Sequence, residues 1–497
     1  MAAEGRLLML IRFLIVTVVI GTAGRPLLAA EPSAAAARPN ILFILTDDQR
    51  WDAVGHSKAF GIQTPNIDAL AADGVRFKNA FVTTAICAAS RATILTGLYE
   101  RTHRYTFGTK PITEAHAAAT YPRLLKDAGY RTGFVGKFGV GIADGAQKEM
   151  FDSFTTTNRN PYLKKQPDGS ERHLTDIEAD HAIKFITSSG NDKPWCLSLS
   201  FNAPHAEDND PRQYIWAKES DGLYKDLTFT PPVTMSESFF NSQPEFLKTS
   251  ESRKRFKWRF DEPQKYQEMV RGYFRMIADV DRVIGRVRQA VQEKGVADNT
   301  IIIFTSDNGY FLGDRGFADK WYIYEESIRV PMIIVDPRLA KSHGVACELP
   351  ALNVDLAPTM LDLAGVATPK HYQGTSLLPL VKGQTPPDWR TDFFYEHLMD
   401  AGGPKAFNPN TFIPKSEGVR NGQFTYVRWF QQEPLIEELY DHQADFHCTR
   451  NLINDPASAD IAGRLRQRTT ELRDQYGGPW ISNAAERPRR QARPAKQ

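Results

Sequence analysis

Cysteine is scarce in this 497-residue chain, which has only Cys87, Cys196, Cys347 and Cys448. So few in so long a chain exclude a disulfide-scaffolded fold and leave any pairing unspecified. Charge of one sign is also lacking. Lys and Arg total 61 against 59 Asp and Glu, a formal net charge of +2, so nothing global favours nucleic acid and any preference for anions must be local. After the first 20 residues no apolar run approaches the length of a bilayer span, and the mature chain is expected to be free of membrane. Internal repeats are absent. What remains is an ordinary globular composition, 41% hydrophobic and 24% charged, long enough for a large core and more than one domain.

The start of the chain stands apart. Arg6 precedes the apolar stretch from Leu7 to Ile20, and small residues follow with cleavage points after Ala23 or Ala30. This is the pattern of a secretory signal, assigned to residues 1–30, and it implies export to the periplasm or beyond the cell. After a flexible Ala34-Ala35-Ala36-Ala37 leader, apolar strands alternate with helical patterns. Pro39–Thr46, Tyr130–Lys137, Trp195–Phe201, Thr300–Ser306 and Ile328–Val335 read as buried strands, and Val75–Val82 as a further one. Thr175–Ser188, Gln264–Lys294 and Asn353–Ala364 read as helices between them. The alternation predicts an α/β fold with a large, mostly parallel sheet flanked by helices, over residues 31–385. From 386 to 480 short strands and a terminal helix predict a smaller α+β subdomain with a short antiparallel sheet, and residues 481–497 a disordered tail.

Chemistry gathers at the strand ends. Asp47 and Asp48 follow the first strand directly, and Asp307 and Asn308 follow the strand that begins at Thr300. Ligands of open α/β sheets bind at such C-terminal strand ends. Four oxygen donors without thiolate or imidazole suit calcium or magnesium rather than zinc, calcium being favoured by the number of carboxylates. The segment from Ala85 to Gly97 places Cys87 just before Ser90, a residue able to cap a helix, with Arg91 four residues on. Free backbone N–H groups and a cation would favour anions there and lower the thiol pKa. Lys137, His205 and Lys320 add cationic or proton-donating groups, and the set reads as a site for hydrolysing anionic esters. The basic–aromatic run from Arg253 to Arg259 is either a contact for an anionic glycan or the edge of a solvated helix.

These residues, taken in order, resemble the type I sulfatases over nearly all of the mature length. The resemblance rests on Pro39–Gln49, Thr64–Leu70, Cys87-Ala88-Ala89-Ser90-Arg91 with Leu95-Thr96-Gly97, Gly136-Lys137, Asn202–His205, Thr305–Gly309, Lys320-Trp321 and Tyr324–Pro331. It implies that Cys87 is converted to Cα-formylglycine, whose geminal diol attacks sulfur and later expels sulfate by regenerating the aldehyde. It further implies one calcium ion held by Asp47, Asp48, Asp307, Asn308 and the modified Cys87. Arg91 would hold the hydrate and the metal carboxylates, Lys137 and Lys320 the sulfate oxygens, and His205 the leaving group. The implied partners are a sulfated small molecule or glycan and a formylglycine-generating maturation enzyme.

Two departures from the family pattern stand out. Ala89 occupies the middle of the maturation signal where proline is usual. Gly136-Lys137-Phe138-Gly139 replaces Gly-Lys-Trp-His, leaving the base that expels sulfate unassigned. His103 either lies near the site or on an exposed turn, and His397, at the start of the C-terminal unit, is a candidate to touch substrate. Rival readings are a phosphonate or phosphate ester hydrolase on the same site and, if Cys87 stays a thiol, a glycan-binding protein without turnover.

Overall fold

The computed structural model describes residues 38–480 apart from 189, 191, 340, 341 and 402–410. The signal segment 1–30, the alanine leader and the tail 481–497 lie outside the described residues. The largest sheet has eight strands. In chain order they are β1 (Asn40–Thr46), β2 (Val75–Phe77), β3 (Arg131–Gly136), β4 (Ser153–Thr156), β5 (Trp195–Ser200), β6 (Thr300–Ser306), β7 (Met332–Val335) and β8 (Val345–Cys347). Their spatial order is β8-β2-β7-β6-β1-β5-β3-β4. All pairings are parallel except those of β7, which runs antiparallel to both β6 and β2.

β1 lies at the centre, and every one of its residues is buried. Strand alternation sends Ile41, Phe43 and Leu45 to one face and Leu42 and Ile44 to the other, and each set enters a different core. The run is continuously apolar because both faces are covered. The first core contains Ala89, Ala92 and Ile94 of α1 (Cys87–Thr96) and Leu356, Met360 and Leu361 of a later helix, Leu356–Leu363. The second contains α2 (Leu174–Thr187) and α3 (Pro263–Glu293). α3 starts with Pro at its first position and buries Val270, Tyr273, Ile277, Val280, Ile284 and Val287 at spacings of three and four.

A separate four-stranded antiparallel sheet follows, β9 (Asp392–His397), β10 (Ser416–Asn421), β11 (Phe424–Trp429) and β12 (Ile436–Asp441). Its Phe394, Tyr395, Val419 and Tyr426 belong to the first core. Glu396 N donates to Thr83 O at 2.9 Å, and Tyr395 OH donates to Trp321 O at 2.8 Å. Arg101 ties the two parts with charged bonds to Glu396 at 2.5 Å and Glu417 at 2.7 Å. The small sheet is thereby fixed beside the segments that carry Cys87 and Lys320.

Three expected elements differ. The strand expected over 75–82 is broken at Lys78-Asn79 into β2 and a two-residue strand, Ala80–Phe81. Ile328 ends a helical turn, Glu325–Ile328, so β7 begins only at Met332. The stretch from 206 to 260, irregular in the sequence, contains a helix at Glu251–Arg259.

Candidate active site

β1 and β6 run in register, with Thr46 opposite Ser306, so Asp47-Asp48 and Asp307-Asn308 emerge side by side. Asp47 N bonds Ala203 O at 3.2 Å, and Asp307 N bonds Thr46 O at 3.0 Å. Asp48 has φ of +71°, an uncommon left-handed conformation for a residue with a Cβ. It is held by Tyr273 OH on its carbonyl at 2.8 Å and by Asp307 Oδ1 on its N–H at 3.3 Å. Asp47, Asp48, Asp307 and Asn308 are all fully buried.

Each acid meets a base. Lys137, delivered by the end of β3, bonds Asp47 Oδ2. Lys320 Nζ lies 2.5 Å from Asp48 Oδ1, to which Asn308 Nδ2 also donates at 2.7 Å. Arg91 Nε donates to Asp307 Oδ2 at 2.7 Å, and its Nη1 donates to Lys137 O and Ser200 Oγ, each at 2.5 Å. His205 Nε2 is 3.6 Å from Asp48 Oδ2. Its Nδ1 lies 2.8 Å from Ala206 O. A carbonyl only accepts, so Nδ1 carries a proton and Nε2 is the nitrogen turned toward Asp48. The structure thus brings Asp47, Asp48, Cys87, Arg91, Lys137, His205, Asp307, Asn308 and Lys320 into one cluster.

Even so, Asp47 Oδ1, Asp48 Oδ2 and Asn308 Oδ1 are buried without any hydrogen-bond partner. Buried acceptors are rarely left unmade, and three of them on two neighbouring strand ends mark a place for a cation. Oxygens from Asp47 and Asp48 and a ring nitrogen of His205 lie within 4.8 Å of one another. Burial, with Asp47, Asp319 and Asp307 adding repulsion, lifts Asp48 to about 7 against the pull of Lys320. Burial and Asp47 likewise raise Asp307. Burial also raises Asp47, but Lys137, Arg91 and Lys320 outweigh it and its pKa falls. Hard oxygen donors of this kind suit a divalent cation.

Cys87 is the first residue of α1, and Ile86, not Ser90, stands at the N-cap. Ser90 is one turn inside, where its Oγ accepts from Asn353 Nδ2 at 2.9 Å. No side chain caps the helix, and Ser90 N to Ile86 O at 2.9 Å is its first backbone bond. The N–H groups before it have no intrahelical partner. The expected lowering of the thiol pKa is corrected. Burial raises it, and the pull of Lys137 and Lys320 is countered by Asp47 and Asp307. All four cysteines are free.

Gly139 explains one departure from the family pattern. It has φ of +70°, and a Cβ there would lie 2.9 Å from Arg91 Cδ. A histidine at this position would strike the arginine that clasps Asp307. His103 does not replace it. It is buried beneath α1, with Nε2 3.1 Å from Thr93 Oγ1 and Nδ1 accepting from Tyr105 N at 3.1 Å, and burial lowers it to about 3. His397 is fully buried, and neither ring nitrogen has a partner.

The basic run divides: Lys254, Lys257 and Trp258 are exposed along a solvated helix edge, whereas Arg255 and Arg259 turn inward. Arg259 is fully buried, and Arg255 and Arg259 both bond Asp319 Oδ2, at 2.9 and 3.0 Å. Arg259 also bonds Asp208 Oδ1 at 2.6 Å. This clamp fixes the residue before Lys320, in a stretch where Asp319 and Trp321 both have positive φ. Nothing local in the sequence marks that pairing, which joins residues 60 apart.

A sulfatase family model matches residues 39–366. A second, described as N-sulphoglucosamine sulphohydrolase C-terminal, matches residues 313–475. An N-acetylglucosamine-6-O-sulfatase of Bacteroides thetaiotaomicron is 30% identical, over 88% of this chain and 87% of its own. A solved structure in complex with its substrate D-glucosamine-2-N,6-O-disulfate superposes with a TM-score of 0.73 at 28% identity, covering 88% of this chain and 98% of the other. A phosphonate monoester hydrolase from Silicibacter pomeroyi has the same fold, with a TM-score of 0.74 at 24% identity over 88% and 96% of the two chains. Among the described residues no helix is long and apolar enough to cross a membrane. The ordered motifs, the strand-end cluster and these matches agree: the chain belongs to the type I sulfatase family, within the alkaline phosphatase superfamily, and is a sulfuric ester hydrolase.

Proposed function

We propose that this enzyme releases sulfate from a sulfated carbohydrate, using a formylglycine made from Cys87 and one calcium ion. The observation that carries the reading is the trio of partnerless buried oxygens on Asp47, Asp48 and Asn308, next to a helix-start cysteine. Asp47, Asp48, Asp307, Asn308 and the modified residue 87 would hold the calcium, which would polarise the sulfuryl oxygens. A hydrated aldehyde at position 87 would supply the attacking oxygen. Sulfated glucosamines appear in the names of proteins similar to this one, which supports a sugar ester here.

The chain's own groups divide the work. Lys137 and Lys320 place two ammonium groups around the sulfate and stabilise charge as it shifts to the leaving oxygen. Arg91 orients Asp307 and, through Lys137 O, the segment that carries Lys137. His205 has its pKa driven well down by burial, with Arg159, Lys320 and Lys137 around it. It acts first by accepting a hydrogen bond at Nε2, and the approach of an anionic ester raises its pKa toward the acid role. Maturation of Cys87 requires a formylglycine-generating enzyme that tolerates Ala89, and residues 1–30 direct export. Parallel turnover of an aryl sulfate and an aryl phosphonate tests the reaction class. Faster sulfate release is expected, and exclusive phosphonate cleavage would contradict it.

A further inference from the structure

The side chains around Cys87 are not equally sheltered. Arg91, Lys320 and His205 are 3%, 4% and 6% exposed, whereas Lys137 is 13% exposed. Lys137 is thus the most solvent-reached side chain of the four. It lines, together with Gly139, an open groove of about 600 Å³. That volume lies within the roughly 300–1,000 Å³ usual for small-molecule sites.

The groove's walls are chemically distinctive. Tyr105, Phe107, Phe138 and Phe154 line it together with Thr156 and Thr157. All four rings are half-buried. Phe138 and Phe154 are committed to a cluster of rings with Phe134 and Phe151. Tyr105 is different: among the described residues no ring stacks on it. It is anchored at its edges instead. Its hydroxyl donates to Gly139 O at 3.4 Å, and its N–H bonds His103, which is fixed to Thr93 of the nucleophile's own helix. A Cβ on Gly141 would come within 2.9 Å of Tyr105 Cε2, so only glycine lets the ring lie against the groove floor. Lys137 and Asp144 are the titratable groups of opposite charge among the lining residues, so beyond Lys137 the groove has no excess of cations for a second sulfate.

Resting on the sulfatase reading above, we propose that this groove is the leaving-group subsite, with Tyr105 as the platform for the uncharged C–H face of the pyranose ring whose sulfate sits between Lys137 and Lys320. The ring would present its apolar face to Tyr105 and its hydroxyls to Thr156 and Thr157. Tyr105 is a specificity determinant in this account and takes no part in bond breaking.

The test compares Tyr105→Ala and Tyr105→Phe in the matured enzyme, on N-acetylglucosamine 6-sulfate and on 4-methylumbelliferyl sulfate. An aromatic face contributes on the order of 0.5–1.5 kcal/mol beyond burial, which is about 2- to 13-fold in affinity, with lost area adding to it. Tyr105→Ala is therefore expected to raise KM about tenfold for both esters, since the aryl leaving group enters the same subsite, leaving kcat near the parent's, while Tyr105→Phe retains the parent's KM. An unchanged kcat on the aryl sulfate reports folding. Should the alanine variant fail to fold, Tyr105→Leu keeps bulk against Gly141 without the aromatic face. A loss confined to kcat, or an unchanged KM for the sugar sulfate, would overturn the subsite while leaving the sulfatase reading intact. Absence of any sulfate release by the parent would overturn both.

Discussion

Replacing Gly139 by alanine probes how tightly the site is built around Arg91. The residue sits at φ of +70°, where a side chain costs about 1–2 kcal/mol. Its new Cβ would also lie 2.9 Å from Arg91 Cδ. That atom is the middle of the stem, not a free tip. Arg91 is 3% exposed and pinned by bonds to Asp307, Lys137 O and Ser200, so it cannot swing aside without giving one up. A buried charged hydrogen bond contributes about 1.5–3 kcal/mol, and each 1.36 kcal/mol is about a tenfold rate effect. We expect kcat on an aryl sulfate to fall about 10- to 100-fold, with formylglycine content checked by peptide mass spectrometry. Gly145→Ala is the control. It has φ of +86° and nothing within 4 Å of its would-be Cβ, so it should lose stability by about the same backbone cost and keep its turnover. Equal melting losses in the two variants with no loss of kcat in Gly139→Ala would refute the reasoning.

Three other outcomes follow from the same geometry. Calcium at about 100 times its Kd should stabilise the folded protein by about 2.7 kcal/mol, a rise of about 3 °C in Tm for a chain this long. A Tm indifferent to calcium and to chelator would count against the oxygen cage. Replacing Arg255 and Arg259 together by alanine strands Asp319 in the interior and should cost about 3–5 kcal/mol in denaturant unfolding. An unchanged midpoint would show the clamp to be dispensable. Glu325 is raised by burial but lowered more by Arg420, His442 and Arg329, to about 2 from an ordinary 4.5. Its folded pKa lies below the unfolded one, so the stability it contributes is present above about pH 4.5 and is lost as pH falls toward about 2. Glu325→Gln should flatten acid unfolding over that window, and an identical pH profile would exclude the role.

The legible part of this protein was its sheet and the ends of its strands. β1 and β6 are continuous apolar runs that stop at paired oxygen donors, and a strand buried on both faces needs no tertiary information to be read. Register then places Asp47 beside Asp307 with little freedom left. Less legible were features decided by contacts distant in sequence. Arg255 and Arg259 looked like a surface charge run, because their partner Asp319 is 60 or more residues away. The sequence leaves His103 between a place near the site and an exposed turn, and α1 packs over it. The thiol pKa was misjudged because helix position and nearby cations are visible locally, whereas burial and the opposing carboxylates are not. Gly139 was noticed as a missing histidine, but only the approach of Arg91 Cδ gives that substitution a physical reason.

The central claim is that the nucleophile arises from Cys87. Peptide mass spectrometry across residues 85–97, on protein expressed in its native host and active on an aryl sulfate, tests it most directly. The account predicts an aldehyde or its hydrate in place of the thiol, and no turnover in Cys87→Ala. An intact thiol in protein that turns over sulfate esters would contradict it.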